Sequence, residues 1–249
     1  MVIRLLQCIL FITFLLNVTA AFAEAKVEMI NGMVPKNWIL VYYTLGDINR
    51  DGKDDAIMVV ENTDQSYLKI NTVIGPKILN MNPRKMLILF QTETGYDEVL
   101  KVENGLPTEH DMNKPCLADL LVETGEIKIN NGQIKVEFLY KMNCSTVYGS
   151  IKHTFNFRYK DARFRLVGFD EMKLERISSD TTEYSIDYVA GQKITITGIN
   201  VYEKTKRRMQ FQKLASNKRF YLDEINLGCA PNNQGACSEK VKHAQLSGI

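Results

Sequence analysis

The chain has little of the chemistry that announces an enzyme. Its 249 residues hold three histidines, His110, His153 and His243, and a single tryptophan. There is no Gly-x-Ser-x-Gly elbow, no His-Glu-x-x-His pair, no phosphate-cradling glycine loop and no dinucleotide fingerprint. Those absences exclude the hydrolases, zinc peptidases and nucleotide enzymes that motifs reveal. Paired carboxylates for sugar cleavage stay open, because folding and not spacing assembles them. Neither sign of charge dominates, with 31 Lys and Arg against 29 Asp and Glu. That balance argues against a nucleic-acid surface and against an acidic solvating arm. Past the first two dozen residues no apolar run approaches membrane length. Tandem repeats and low-complexity segments are also missing.

What is present begins at the N-terminus. Arg4 precedes an apolar stretch from Leu5 to Leu16, and Ala21 and Ala23 follow at signal-peptidase spacing. The pattern predicts a signal peptide over residues 1–23, with cleavage before Glu24. The continuous apolar core is about a dozen residues, short of the roughly 20 that a retained anchor needs. Leu5-Leu6-Gln7-Cys8 resembles a lipobox, but almost nothing apolar precedes it. The expected location is therefore outside the cytoplasm, periplasmic or extracellular, with no membrane span after cleavage.

Four cysteines would remain: Cys116, Cys144, Cys229 and Cys237. An even count in an exported chain predicts disulfides. Three pairings are possible. Cys229 and Cys237 flank a turn-rich loop that could close on itself, which would leave Cys116 for Cys144. No Cys-x-x-Cys knuckle occurs, which argues against zinc.

The hydrophobic pattern is short and alternating, between Gly, Asn, Asp and Pro punctuation. It predicts strands at Trp38 to Leu45, Asp55 to Glu61, Tyr67 to Ile74, Met86 to Phe90 and Tyr96 to Val102. Glu126 to Ile129 and Ile134 to Tyr140 flank Asn130-Asn131-Gly132, a strong hairpin signal. Further strands are expected at Ile151 to Tyr159, Phe164 to Phe169, Lys193 to Tyr202 and Arg208 to Lys213. Leu117 to Glu123 reads as one helical turn or a strand. The expected fold is mainly β: a single antiparallel β domain over 24–237, a sandwich or incomplete propeller-like sheets, with few or no helices. Residues 238–249 read as a flexible tail, and a division near Pro107 to Pro115 is the alternative.

One segment carries chemistry. Asp47-Ile48-Asn49-Arg50-Asp51-Gly52-Lys53-Asp54-Asp55 reads D-x-N-x-D-G-x-x-D. Calcium takes six to eight hard oxygens. Side chains of Asp47, Asn49, Asp51 and Asp55, with the Lys53 carbonyl, could converge on one ion, and Gly52 permits the turn. The twelfth position is Met58 and not the bidentate Glu of an EF-hand, and strands are expected on both flanks. An ion-free turn built from Asx side chains is the rival reading, and a structural ion is favoured over a catalytic or sensing one.

Gly46 through Val59 resembles the calcium-loop repeat of the FG-GAP and VCBS families. That resemblance implies a loop seated in a β-hairpin and the same five ligands, Asp47, Asn49, Asp51, Lys53 through its carbonyl, and Asp55. Those families carry many copies, and this chain has one, so a full propeller is not implied. Pro35-Lys36-Asn37-Trp38, Leu87 to Phe90, Gly95-Tyr96 and Phe155 to Asp170 resemble a group of uncharacterised secreted bacterial proteins.

The expectation for function is an exported, non-enzymatic envelope β protein with structural Ca2+ and an unknown protein or envelope partner. A periplasmic inhibitor or immunity protein is one alternative, and a hydrolase with fold-assembled carboxylates is another. His153 shares the apolar face of its strand and reads as a bonded core histidine. His110 reads as a loop residue. Lys204-Thr205-Lys206-Arg207-Arg208 reads first as a solvated hairpin turn, and second as a contact for an anionic surface or acidic partner.

Overall fold

The computed structural model describes residues 26–144, 149–215 and 218–228. The expected leader with Cys8, the pair Cys229 and Cys237, and the tail from 238 lie outside the described residues. Among the described residues no helix is long and apolar enough to cross a membrane.

The chain is mainly β. A short helix, α1 (26–32), precedes β1 (Trp38–Gly46) and β2 (Asp55–Asn62). Then come β3 (Leu68–Ile70), β4 (Ile78–Asn80), β5 (Arg84–Gln91), β6 (Tyr96–Val102), β7 (Glu126–Asn130) and β8 (Gln133–Tyr140). β9 (Ser150–Lys160), β10 (Arg163–Leu174), β11 (Asp180–Asp187), β12 (Gln192–Asn200) and β13 (Arg208–Lys213) complete the set. A four-stranded sheet runs β1-β2-β5-β6, and a seven-stranded one runs β13 to β7 in sequential order. β3 and β4 form a separate pair. The pairings are antiparallel throughout.

The two sheets bury a common core. Ile57, Val59, Met86 and Ile88 of the small sheet meet Val136, Phe138, Phe155, Phe157 and Phe169 of the large one. The opposite face of the small sheet, with Ala56, Met58, Val60, Leu87 and Leu89, packs on Ile30 of α1. This explains why β2 is apolar at every position from Ala56 to Val60 and not at alternate ones. A strand covered on both faces has no solvent side to keep polar. The shared core draws on residues both before and after 107–115. A division there would therefore cut through packed side chains.

Most expected strands form close to their expected ends. Tyr67 to Ile74 does not. Gln65–Tyr67 is a 3-10 turn, and only Leu68–Ile70 pairs. Asp64 caps that turn by accepting from Ser66 N, which favours local winding over extension. Asn71 then accepts from Val73 N and bends the chain. β4 and β11 are strands that the pattern did not announce. Leu117 makes a lone bridge to Met142, and Asp119 O then accepts from Glu123 N at 3.3 Å, so the helical-turn reading comes closer.

Cys116 and Cys144 are disulfide-bonded, with Cα atoms 5.3 Å apart. The bond reinforces a small ladder. Ala118 N donates to Lys141 O at 2.9 Å, and Asn143 N donates to Cys116 O at 2.7 Å. The ladder holds the segment that leads into Asp119.

Candidate metal centre

The loop from Asp47 to Asp55 joins β1 to β2, as a strand–loop–strand reading requires. Arg50 and Gly52 both have positive φ, 67° and 83°. Glycine takes that conformation freely, whereas Arg50 adopts it against its own preference. Side-chain oxygens compensate by accepting from the loop's peptide groups. Asp47 Oδ1 accepts from Arg50 N at 2.6 Å and Asp51 N at 3.1 Å, and its Oδ2 accepts from Gly52 N at 2.9 Å. Asn49 Oδ1 accepts from Asp51 N at 2.9 Å, and Asp51 Oδ1 accepts from Lys53 N at 2.9 Å. These hydrogen bonds wind the chain around its own acids. They also hold the Asp51 carboxyl below the usual carboxylate range, with Lys53 N–H as the largest cause.

Asp55 differs from the other four. It is completely buried, whereas Asp51 and Lys53 are exposed. Its Oδ2 accepts from Ile48 N at 2.9 Å and Asn49 N at 3.2 Å, and its Oδ1 accepts from Gln91 N at 3.0 Å. One carboxylate thus ties the loop, the start of β2 and the end of β5. Among the described residues it forms no ion pair. Burial pushes its pKa up, and the nearby Asp51 charge pushes the same way. A buried carboxylate without a counter-charge is costly.

No group of three or more His, Cys, Asp or Glu side chains is gathered as a finished metal centre among the described residues. The residues fit calcium through their donor chemistry. All five are hard oxygen donors, and the buried member has no positive partner among the described residues.

The loop also sits at a seam. β1 and β7 are the edge strands of their respective sheets, and they meet side by side. Tyr42 Oη donates to Ile127 O at 3.1 Å and accepts from Ile127 N at 3.0 Å, which closes both peptide groups of that edge position. A Cβ on Gly46 would lie 2.8 Å from Ile129 Cβ, so the strands touch there. Arg50 Nη2 donates to Asn131 O at 2.7 Å, and a Cβ on Gly132 would collide with the Arg50 side chain. Asn131 and Gly132 carry the positive φ of the expected hairpin turn. Positions 42, 46 and 50 thus meet 127, 129 and 131–132 in step. Ile48, inside the loop, is buried in the shared core.

The other titratable candidates serve the fold. His153 is buried, and its Nε2 lies 2.8 Å from Glu171 Oε2 with the Tyr140 ring 4.8 Å away. His110 is more enclosed than a loop histidine need be, because its Nδ1 accepts from Asn80 N at 3.2 Å. It lines a cavity of about 260 Å³ with Glu109 and Asp111. Glu109 Oε2 is held by Asn80 Nδ2 at 2.7 Å, and the same amide bonds Glu61 Oε1 at 2.7 Å.

Sequence pattern did not reveal a second polar cluster. Arg84 donates from Nε to Glu61 Oε2 at 2.7 Å, and from Nη1 and Nη2 to both oxygens of Asp119 at 2.8 and 2.6 Å. All three residues are buried. The partners lie 23 and 35 positions from Arg84, so no local motif signals them.

No family model, curated protein or solved structure matches the chain. The reading of the loop therefore rests on its own geometry and chemistry.

Proposed function

We propose that this chain is an exported, non-enzymatic β module whose Asp47–Asp55 loop takes one calcium ion, fixing the corner where the two sheets meet, and whose surface serves a binding partner. The observation that carries the calcium reading is Asp55, buried beside Asp51 and held by backbone N–H groups, with no ion pair among the described residues. Asp47, Asn49, Asp51 and Asp55 would hold the ion through side chains, and Lys53 through its carbonyl. When bound, the ion would supply the missing positive charge. A structural role is supported by the loop's neighbours, a strand edge and a hairpin turn. The Cys116–Cys144 disulfide and the lack of an apolar spanning helix among the described residues are consistent with export.

Calorimetric titration of the mature chain with calcium tests this, with thermal unfolding in parallel. The expected result is about one ion per chain. Stability should rise by about 2.7 kcal/mol when free calcium is a hundred times Kd. Asp47→Ala and Asp51→Ala, each at an exposed or half-buried position, should remain folded and lose the effect. Absence of heat together with a melting curve indifferent to calcium would leave the loop as an Asx-bonded turn.

A further inference from the structure

The connections at one end of the large sheet touch one another in a row. The β3–β4 turn comes first: Cys116 Sγ lies 3.5 Å from Ile74 O, and a Cβ on Gly75 would lie 3.2 Å from Pro115 O. Cys116 is bonded to Cys144, just beyond the end of β8. Before the start of β9, a Cβ on Gly149 would collide with Leu174 O, where β10 gives way to its turn. That turn accepts from the next one, Ser179 O from Val201 N at 3.1 Å and Ser178 O from Asn200 Nδ2 at 2.8 Å.

This margin carries much of the chain's exposed apolar surface. Ile70 and Ile78 pair at the ends of β3 and β4, with Val73 and Ile74 in the turn between, and all four are more than half exposed. Ile177 is 92% exposed in the β10–β11 turn, and Tyr202 is 85% exposed beside Val201 in the β12–β13 turn. Cations are interspersed: Lys69 and Lys77, then Arg176, then Lys204, Lys206 and Arg207. The acids of 69–78, 175–179 and 201–207 are Glu175 and Glu203, and Lys173 holds Glu175 at 2.9 Å. We propose that this margin docks on an anionic lipid surface. Ile70, Val73, Ile74 and Ile177 enter the boundary of the acyl chains, Tyr202 sits at headgroup level, and the cations meet the lipid phosphates.

Chemistry separates this occupant from the others. The apolar groups and the cations are mixed along the margin and stand on or beside turns. That mixture matches a surface whose phosphates overlie hydrocarbon. A purely acidic peptide would meet the cations and leave the isoleucines in water. A second copy joined through the same turns would set cations against cations. The chain's own residues 229–249 carry Lys240 and Lys242 against Glu239, so they offer no acidic complement.

The proposal rests on reading the surface as one that binds a partner, and it does not depend on calcium. The full mature chain, its calcium response measured in the same preparation, is sedimented with vesicles of phosphatidylglycerol and phosphatidylethanolamine, and with vesicles of phosphatidylcholine. The expected result is saturable binding to the first, weakened by salt, and none to the second. Ile177→Asp and, separately, Lys204→Glu/Lys206→Glu alter exposed side chains. Both chains should keep the wild-type melting temperature and bind at least about tenfold more weakly. Ile74→Asp should do the same from the far end of the margin. Absence of binding to the anionic vesicles would overturn the proposal. Undiminished binding of the Ile177→Asp and Ile74→Asp chains would also overturn it, by reducing the contact to charge alone. Capture of a polyglutamate peptide without vesicle binding would overturn it in favour of an acidic protein. Failure on a chain that still responds to calcium overturns this proposal alone.

Discussion

An Arg84→Met chain should lose about 3–5 kcal/mol of stability at neutral pH, because two buried carboxylates would lose their shared cation. Glu61 and Arg84 lie on neighbouring strands, β2 and β5, while Asp119 arrives from the segment before β7. The guanidinium fork meets Asp119 with two bonds and Glu61 with one, so no donor of similar shape replaces it. Asp119 spends further capacity on Leu121 N and Val122 N, at 2.9 and 3.1 Å. The loss therefore spreads to the turn that carries it. The pH dependence gives a second signature. Burial alone would raise the Asp119 pKa, but its bonds to Arg84 leave it lowered. A lowered carboxyl pKa contributes stability above the unfolded value that is lost as pH falls through the folded one. Without Arg84, burial dominates, and protonation relieves the buried charge. The gap between wild type and variant should accordingly narrow from pH 7 toward about pH 4, as followed by urea unfolding. A constant gap across that range would show that the loss comes from packing and not from charge.

Reduction, or Cys116→Ser with Cys144→Ser, should cost about 3–4 kcal/mol for a closed loop of this length if chain entropy governs. The bond clips the strand-like segment 116–118 to residues 141–143. Asp119 follows directly, so the disulfide and the Arg84 cluster act on one segment. Their losses should be less than additive in a double-mutant cycle, because freeing the segment already loosens Asp119. Urea unfolding of the wild type, the two single variants and their combination checks this. Strict additivity would mean that Asp119 holds its place without the disulfide.

Much of the β pattern was legible because alternation and turn chemistry are local. Asn130-Asn131-Gly132 names its own hairpin, and β2 and β5 each announce themselves as an apolar run. β4 was missed because three residues hold too little periodicity. β11 was missed because Thr181, Thr182 and Ser185 dilute its apolar signal. Tyr67 to Ile74 was overextended because Asp64 and Asn71 bond their own backbone, which a count of β-branched residues ignores. For the candidate site, spacing proposed the five oxygens. It could not show that Asp55 alone is buried, that Gln91 closes its second oxygen, or that Arg50 reaches across to Asn131. Those contacts join residues brought together only by strand pairing within the small sheet and by its meeting with the large one.

Amide hydrogen exchange of the mature chain, with calcium and with a chelator, most directly tests whether the loop fixes the corner between the sheets. If it does, calcium should slow exchange in the loop and also at Ile127, Ile129 and the Asn131–Gly132 turn, which meet Tyr42 and Gly46 of β1 and Arg50 of the loop. Protection confined to residues 47–55, or none at all, would contradict that claim.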